Sequence, residues 1–97
     1  MVTAPTEQKI IAACREISET YGLEQVYLTE IVGPRRHYIA GYGLPSLERA
    51  GQVQVSDRLI LFWHGTLSPE MQETCKTKFT PLVAGIEQEL STETHST

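Results

Sequence analysis

Leu59-Ile60-Leu61-Phe62-Trp63 places five large apolar side chains in succession, opened by Arg58 and closed by His64-Gly65. A run this short with a glycine boundary predicts a strand covered on both faces. Ser68, Pro69 and Glu70 then supply an N-cap, a first-position proline and a first-turn acid, which together start a helix. Along it Met71, Cys75, Phe79, Leu82, Ile86 and Leu90 recur at steps of three and four and stay in phase across Pro81. That phase predicts one kinked helix, with a break and a new start at Thr80-Pro81 as the alternative. Residues 91–97 are polar and without an apolar anchor, so a disordered tail is expected beyond a single domain of residues 1–90.

At the other end, Ile10, Ala13, Cys14, Ile17 and Tyr21 make an unbroken helical stripe. Pro5, Thr6 and Glu7 open that helix, Gly22 terminates it, and Leu23 is placed for the contact that follows such a cap. Residues 1–4 are expected to be loose. Val26 to Val32 is rich in β-branched and aromatic residues and reads as a strand. Gly33-Pro34 ends it, and His37 to Tyr42 returns antiparallel after a loop of about four residues, with Arg35 and Arg36 in or beside the turn. Gly41, Gly43 and Pro45 read as a break around Tyr42. Ser46 is placed to cap one helical turn over Leu47 to Ala50, stopped by Gly51. Gln52 to Val55 alternates as a half-exposed strand. Continuing that alternation would aim Asp57 at the core, so a tight turn or bulge is expected over 56–58.

The order helix, strands, helix predicts an α+β fold. A three- to four-stranded antiparallel sheet would carry the N- and C-terminal helices on one face, as a two-layer sandwich. Two helices cover one face only. The other would present whichever of Tyr27, Thr29, Ile31, Tyr38, Tyr42, Ile60 and Phe62 point away from them, a surface that calls for a partner.

Composition narrows the functional classes. At 97 residues there is one modest core, burying about 65% of the unfolded surface, and self-association is a natural expectation for so small a domain. A formal charge of −4 argues against a dedicated nucleic-acid binder. The charge is uneven, because Arg35, Arg36 and Arg49 concentrate the basic character between two acidic flanks. No apolar run approaches 18 residues and no basic-then-apolar leader opens the chain, so a cytoplasmic protein without a membrane span is expected. Cys14 and Cys75 lie on apolar helix stripes without metal-ligand spacing and read as buried thiols.

Arg35-Arg36-His37-Tyr38 is the cluster with the clearest binding chemistry: two guanidiniums for carboxylates or phosphates beside a ring that can stack. A solvated turn whose arginines pair with Glu30 or Glu48 is its structural counterpart. Gly41 to Pro45 has the glycines of a lid but none of the spacing of a phosphate loop. His37 and His64 stand at strand ends and could form an acid–base pair with Asp57 or Glu30, though no metal or hydrolase spacing accompanies them. No nucleophile motif and no cofactor motif is present, so no cofactor is expected.

The reading that follows is a small non-enzymatic protein-interaction module, an assembly, adaptor or regulatory subunit. It would bind another protein or itself, as a homodimer, through Tyr27, Tyr38, Tyr42, Arg35 and Arg36. The alternative is a binder of a small anionic ligand or single-stranded nucleic acid, with Arg35, Arg36 and Arg49 as the anion clamp and the tyrosines as a stacking platform.

Overall fold

The computed structural model describes residues 2–45 and 50–95. Along the chain come α1 (Ala4–Tyr21), β1 (Gln25–Val32), β2 (Arg35–Gly43), β3 (Ala50–Gln54), β4 (Leu59–His64) and α2 (Pro69–His95). The strands form one antiparallel sheet in the order β2-β1-β4-β3. Its centre is therefore β1 against β4, which are not consecutive in the chain.

Strand alternation decides what each face carries. Val26 and Leu28 of β1 and Leu59, Leu61 and Trp63 of β4 pack into one core with Ile10, Cys14 and Ile17 of α1 and Cys75, Phe79, Ile86 and Leu90 of α2. Their alternates Tyr27, Ile31, Ile60 and Phe62 lie outside that core. Both helices thus cover the same face, giving the two-layer α+β arrangement. No described helix is long and apolar enough to cross a membrane.

The helix signals act where the sequence puts them. Gly22 takes the left-handed conformation (φ 65°) and Leu23 N–H donates to the Ser18 carbonyl at 3.0 Å, closing α1. The Ser18 hydroxyl donates to the Leu23 carbonyl at 2.6 Å, which satisfies a buried polar group at the same corner. Ser68 Oγ accepts from Met71 N–H at 3.2 Å to cap α2. α2 continues through Pro81 as one helix, although Met71, at its first turn, is 39% exposed rather than part of the buried stripe. Thr74, Thr77 and Thr80 each donate a side-chain hydrogen bond to the carbonyl four residues back. Pro81 is exposed and supplies no N–H to the helix ladder. Pro81→Ala is accordingly expected to raise stability by about 1–3 kcal/mol in urea denaturation at constant slope. A lower midpoint would mean two helices meeting at Thr80.

Several local expectations are corrected. The hairpin loop is Gly33-Pro34 alone, because Val32 pairs with Arg35. Gly33 at φ 59° closes this short turn, so Arg35 and Arg36 belong to an edge strand, where exposed charge is well tolerated. Gly41-Tyr42-Gly43 is strand as well, paired with Tyr27, Val26 and Gln25, and not a lid loop. Residues at the N-terminus are anchored rather than loose: Val2 is buried and Thr3 N–H donates to Glu89 Oε1 at 2.6 Å. The Thr6 hydroxyl donates to Glu89 Oε2. The Thr3 amide first, and then Thr6, hold the Glu89 carboxyl below the usual carboxylate range. α2 does not stop at Leu90 but runs to His95, and Ser91 accepts from Arg58 Nη1 at 2.7 Å.

The helical turn expected after Ser46, and with it Arg49, lies outside the described residues, while Ala50 already belongs to β3. The tight turn before β4 is present: Val55 and Ser56 N–H both donate to the Leu59 carbonyl and Asp57 is exposed. Cys14 and Cys75 are free and buried. Burial pushes the Cys14 thiol up to about 12 and raises Cys75 as well, so neither is primed as a nucleophile.

Candidate interaction face

Tyr27 sits at the middle of the uncovered side of the sheet because its strand is central and its parity is opposite to that of Val26 and Leu28. Its cross-strand partner is Phe62, and the two rings stack 5.3 Å apart at 5°. The Tyr38 ring lies 5.8 Å from Tyr27 on the β2 side, and the His64 ring 6.3 Å away along β4. Opposite Tyr27 on β2 stands Gly41, where any Cβ would lie 2.4 Å from the Tyr27 Cβ. The glycine is there for this close approach. Between these side chains, Thr29 and Ile60 are 3% and 6% exposed with no described helix on their side, and Thr29 Oγ1 donates to the Ile60 carbonyl at 3.0 Å.

Among the described residues the face is nearly free of charge. In the four strands the charged residues are Glu30, Arg35 and Arg36. Glu30 points to the helix layer, where it accepts from Arg58 Nη2 at 2.6 Å while the other end of that guanidinium holds Ser91 of α2. Arg35 pairs with Val32 and shares Glu30's parity. Arg36, opposite Ile31, stands at a corner of the open face, its Nη1 donating to the Arg35 carbonyl at 3.2 Å. Polar neutral residues, Gln52 and Gln54 of β3, form the opposite rim.

The structure gathers only part of the candidate set. Tyr27, Tyr38 and Arg36 come together. Tyr42 does not, because Leu28 faces Ala40 while Thr29 faces Tyr38, leaving Ile39 as an extra residue that reverses the alternation. Tyr42 consequently pairs with Val26 on the helix side, with Arg15 of α1 over its ring at 5.8 Å. Arg35 and Arg36 point to opposite sides of β2, so they form no two-arginine clamp. His37 pairs with Glu30, and His64 with Gln25 at the far end of β1 on the other face. The two histidines therefore form no acid–base pair, and Asp57 lies apart in its exposed turn. Partial burial raises the Tyr38 phenol, with Cys14 and Glu7 adding to the shift, so it stays neutral at physiological pH.

Arg58 was invisible as an organising residue: beside Asp57 its charge cancels in sequence, and only the β1–β4 pairing brings Glu30 to it. A groove of about 400 Å³ opens beside the Glu30–Arg58 pair, between Glu7, His37 and Tyr38 over Val2 and Leu90. Among the described residues no three His, Cys, Asp or Glu side chains are placed to hold a metal ion.

No protein-family model matches this chain, and neither a curated protein nor a solved structure does. Function must be argued from the face itself.

Proposed function

We propose that this chain is a small protein-interaction module, an assembly, adaptor or regulatory subunit that engages a protein partner through the open sheet face around Tyr27, Phe62, Tyr38 and Arg36. The observation that carries the reading is the stacked Tyr27–Phe62 pair at the centre of a sheet face that no described element covers. Tyr and Arg are the side chains that most often dominate binding energy, and interface centres are depleted of charge, as this face is. Two buried, unactivated thiols fit a reducing cytosol. The rival reading, an anion or single-stranded nucleic-acid binder clamping with Arg35, Arg36 and Arg49, has less support, because alternation along β2 turns Arg35 and Arg36 to opposite sides.

Photo-crosslinking in the native cells tests the proposal. A benzophenone side chain at position 38, on the face, is expected to give protein adducts, and one at the exposed Met71 of α2 is not. The double change Arg36→Ala and Tyr38→Ala is expected to abolish association with an unchanged melting curve. Equal adducts at both positions, or none at position 38, would remove the face as the binding surface.

A further inference from the structure

We infer that the occupant of this face is a second copy of the same chain, packed sheet to sheet about a two-fold axis that lies in the interface. The inference rests on the interaction-module reading and names its partner.

Charge distribution selects the second copy. The chain carries −4, and the described acids lie on α1, on α2, in connecting segments, or, as Glu30, under the helix layer. Two such molecules repel if their helix layers meet. Packed through their sheets, they keep the acidic layers outermost, about 30 Å apart across two helices and a sheet-to-sheet gap, well beyond the screening length at physiological salt. Among the described residues, the open face offers a strongly acidic or basic partner only the single charge of Arg36. Its complement is another surface of rings and amides, and its own copy supplies one at equal concentration.

The two rims also match each other under a two-fold. An axis running along the strands lays β2 of one copy over β3 of the other. Arg36 and Gln54 stand at the same end of the sheet, Arg36 opposite Ile31 and Gln54 opposite Ile60. Gln54 stands at the level of Thr29, two residues from Ile31. That axis therefore brings each guanidinium within side-chain reach of the amide of Gln54 of the partner subunit and keeps the two arginines apart, while the Tyr27–Phe62 stacks meet at the centre. Such a contact is isologous and closes at two copies.

Size sets the strength. Four strands of 8, 9, 5 and 6 residues give a plate of roughly 400 Å² on each copy. This is at the small end of specific interfaces, so the dimer is weak and reversible, with dissociation in the micromolar range or above.

Sedimentation equilibrium of the untagged chain, from about 1 to about 300 μM, should show the mass rising from 10.9 kDa towards twice that value, with little loss at raised salt. The double change Gln52→Glu and Gln54→Glu alters two exposed β3 side chains, so folding is preserved. It sets four carboxylates into the contact and should weaken association at least tenfold at low salt, with partial recovery as salt is added. Glu73→Gln on α2 should leave the mass curve unchanged. A monomer at every concentration, or a dimer indifferent to the two glutamates, would overturn the inference. The crosslinking experiment separates the two levels: position-38 adducts with a different protein alone, beside a monomeric pure chain, keep the module and eliminate the self-pair. Absence of any protein adduct eliminates both.

Discussion

Phe79→Ala is expected to lower stability by about 3–5 kcal/mol, a large share of what holds a small domain together. Phe79 is the largest fully buried side chain, at 0% exposure, in the middle of α2. Cys75 and Ile86 flank it on the same stripe and meet Leu59, Leu61 and Trp63 of β4 in the core. Removing the ring leaves a void between helix and sheet that neither rigid element can close, so cavity cost adds to lost burial. Urea denaturation gives the difference directly. A loss below about 1 kcal/mol would show that α2 does not dock on the sheet through this stripe.

The second large effect is expected at Gly41. Alanine there would set its Cβ 2.4 Å from the Tyr27 Cβ and 2.5 Å from the Val26 carbonyl oxygen. Both obstacles belong to the neighbouring central strand, so relief requires β1 and β2 to separate. A loss of about 2–3 kcal/mol is expected, the upper range for overpacking. Because the displaced residue is Tyr27, association should weaken further than the loss of folded protein alone accounts for. Circular dichroism melts and sedimentation on the same samples separate the two contributions. A variant as stable as the parent would mean that Tyr27 does not lie over Gly41.

The two helices and the central strand were legible because each rests on local signals: a helical stripe with caps at Gly22 and Ser68, and an apolar run closed by Gly65. The sheet's edges were not. Arg35 and Arg36 look like turn residues because they are charged, yet an edge strand has a solvent side that accommodates them. Tyr38 and Tyr42 share parity in sequence and would share a face in a regular strand. The extra residue at Ile39 divides them, and no residue in that stretch marks a bulge. The same holds for His37, His64 and Arg58. The neighbours of His64 and Arg58 are fixed by β1 pairing with β4, a long-range choice that local pattern does not encode, while the register of the β1–β2 hairpin sets His37 against Glu30. Of the candidate face, its existence and Tyr27, Tyr38 and Arg36 could be read from the sequence. Tyr42, Arg35 and the pairing of the histidines could not.

The tie from Thr3 to Glu89 spans 86 residues of chain. Its reach bears on how the molecule comes into being. Until α2 has been synthesised, α1 has only the sheet to lie on, and the Thr3 amide at its N-cap has no Glu89 carboxylate to donate to. The half of the sheet built from Leu59, Leu61 and Trp63 stays bare over the same interval. A nascent chain arrested before Phe79 would therefore show apolar surface on both sides of the sheet at once. Such a fragment would be a substrate for chaperones rather than a smaller domain, and α2 completes this fold.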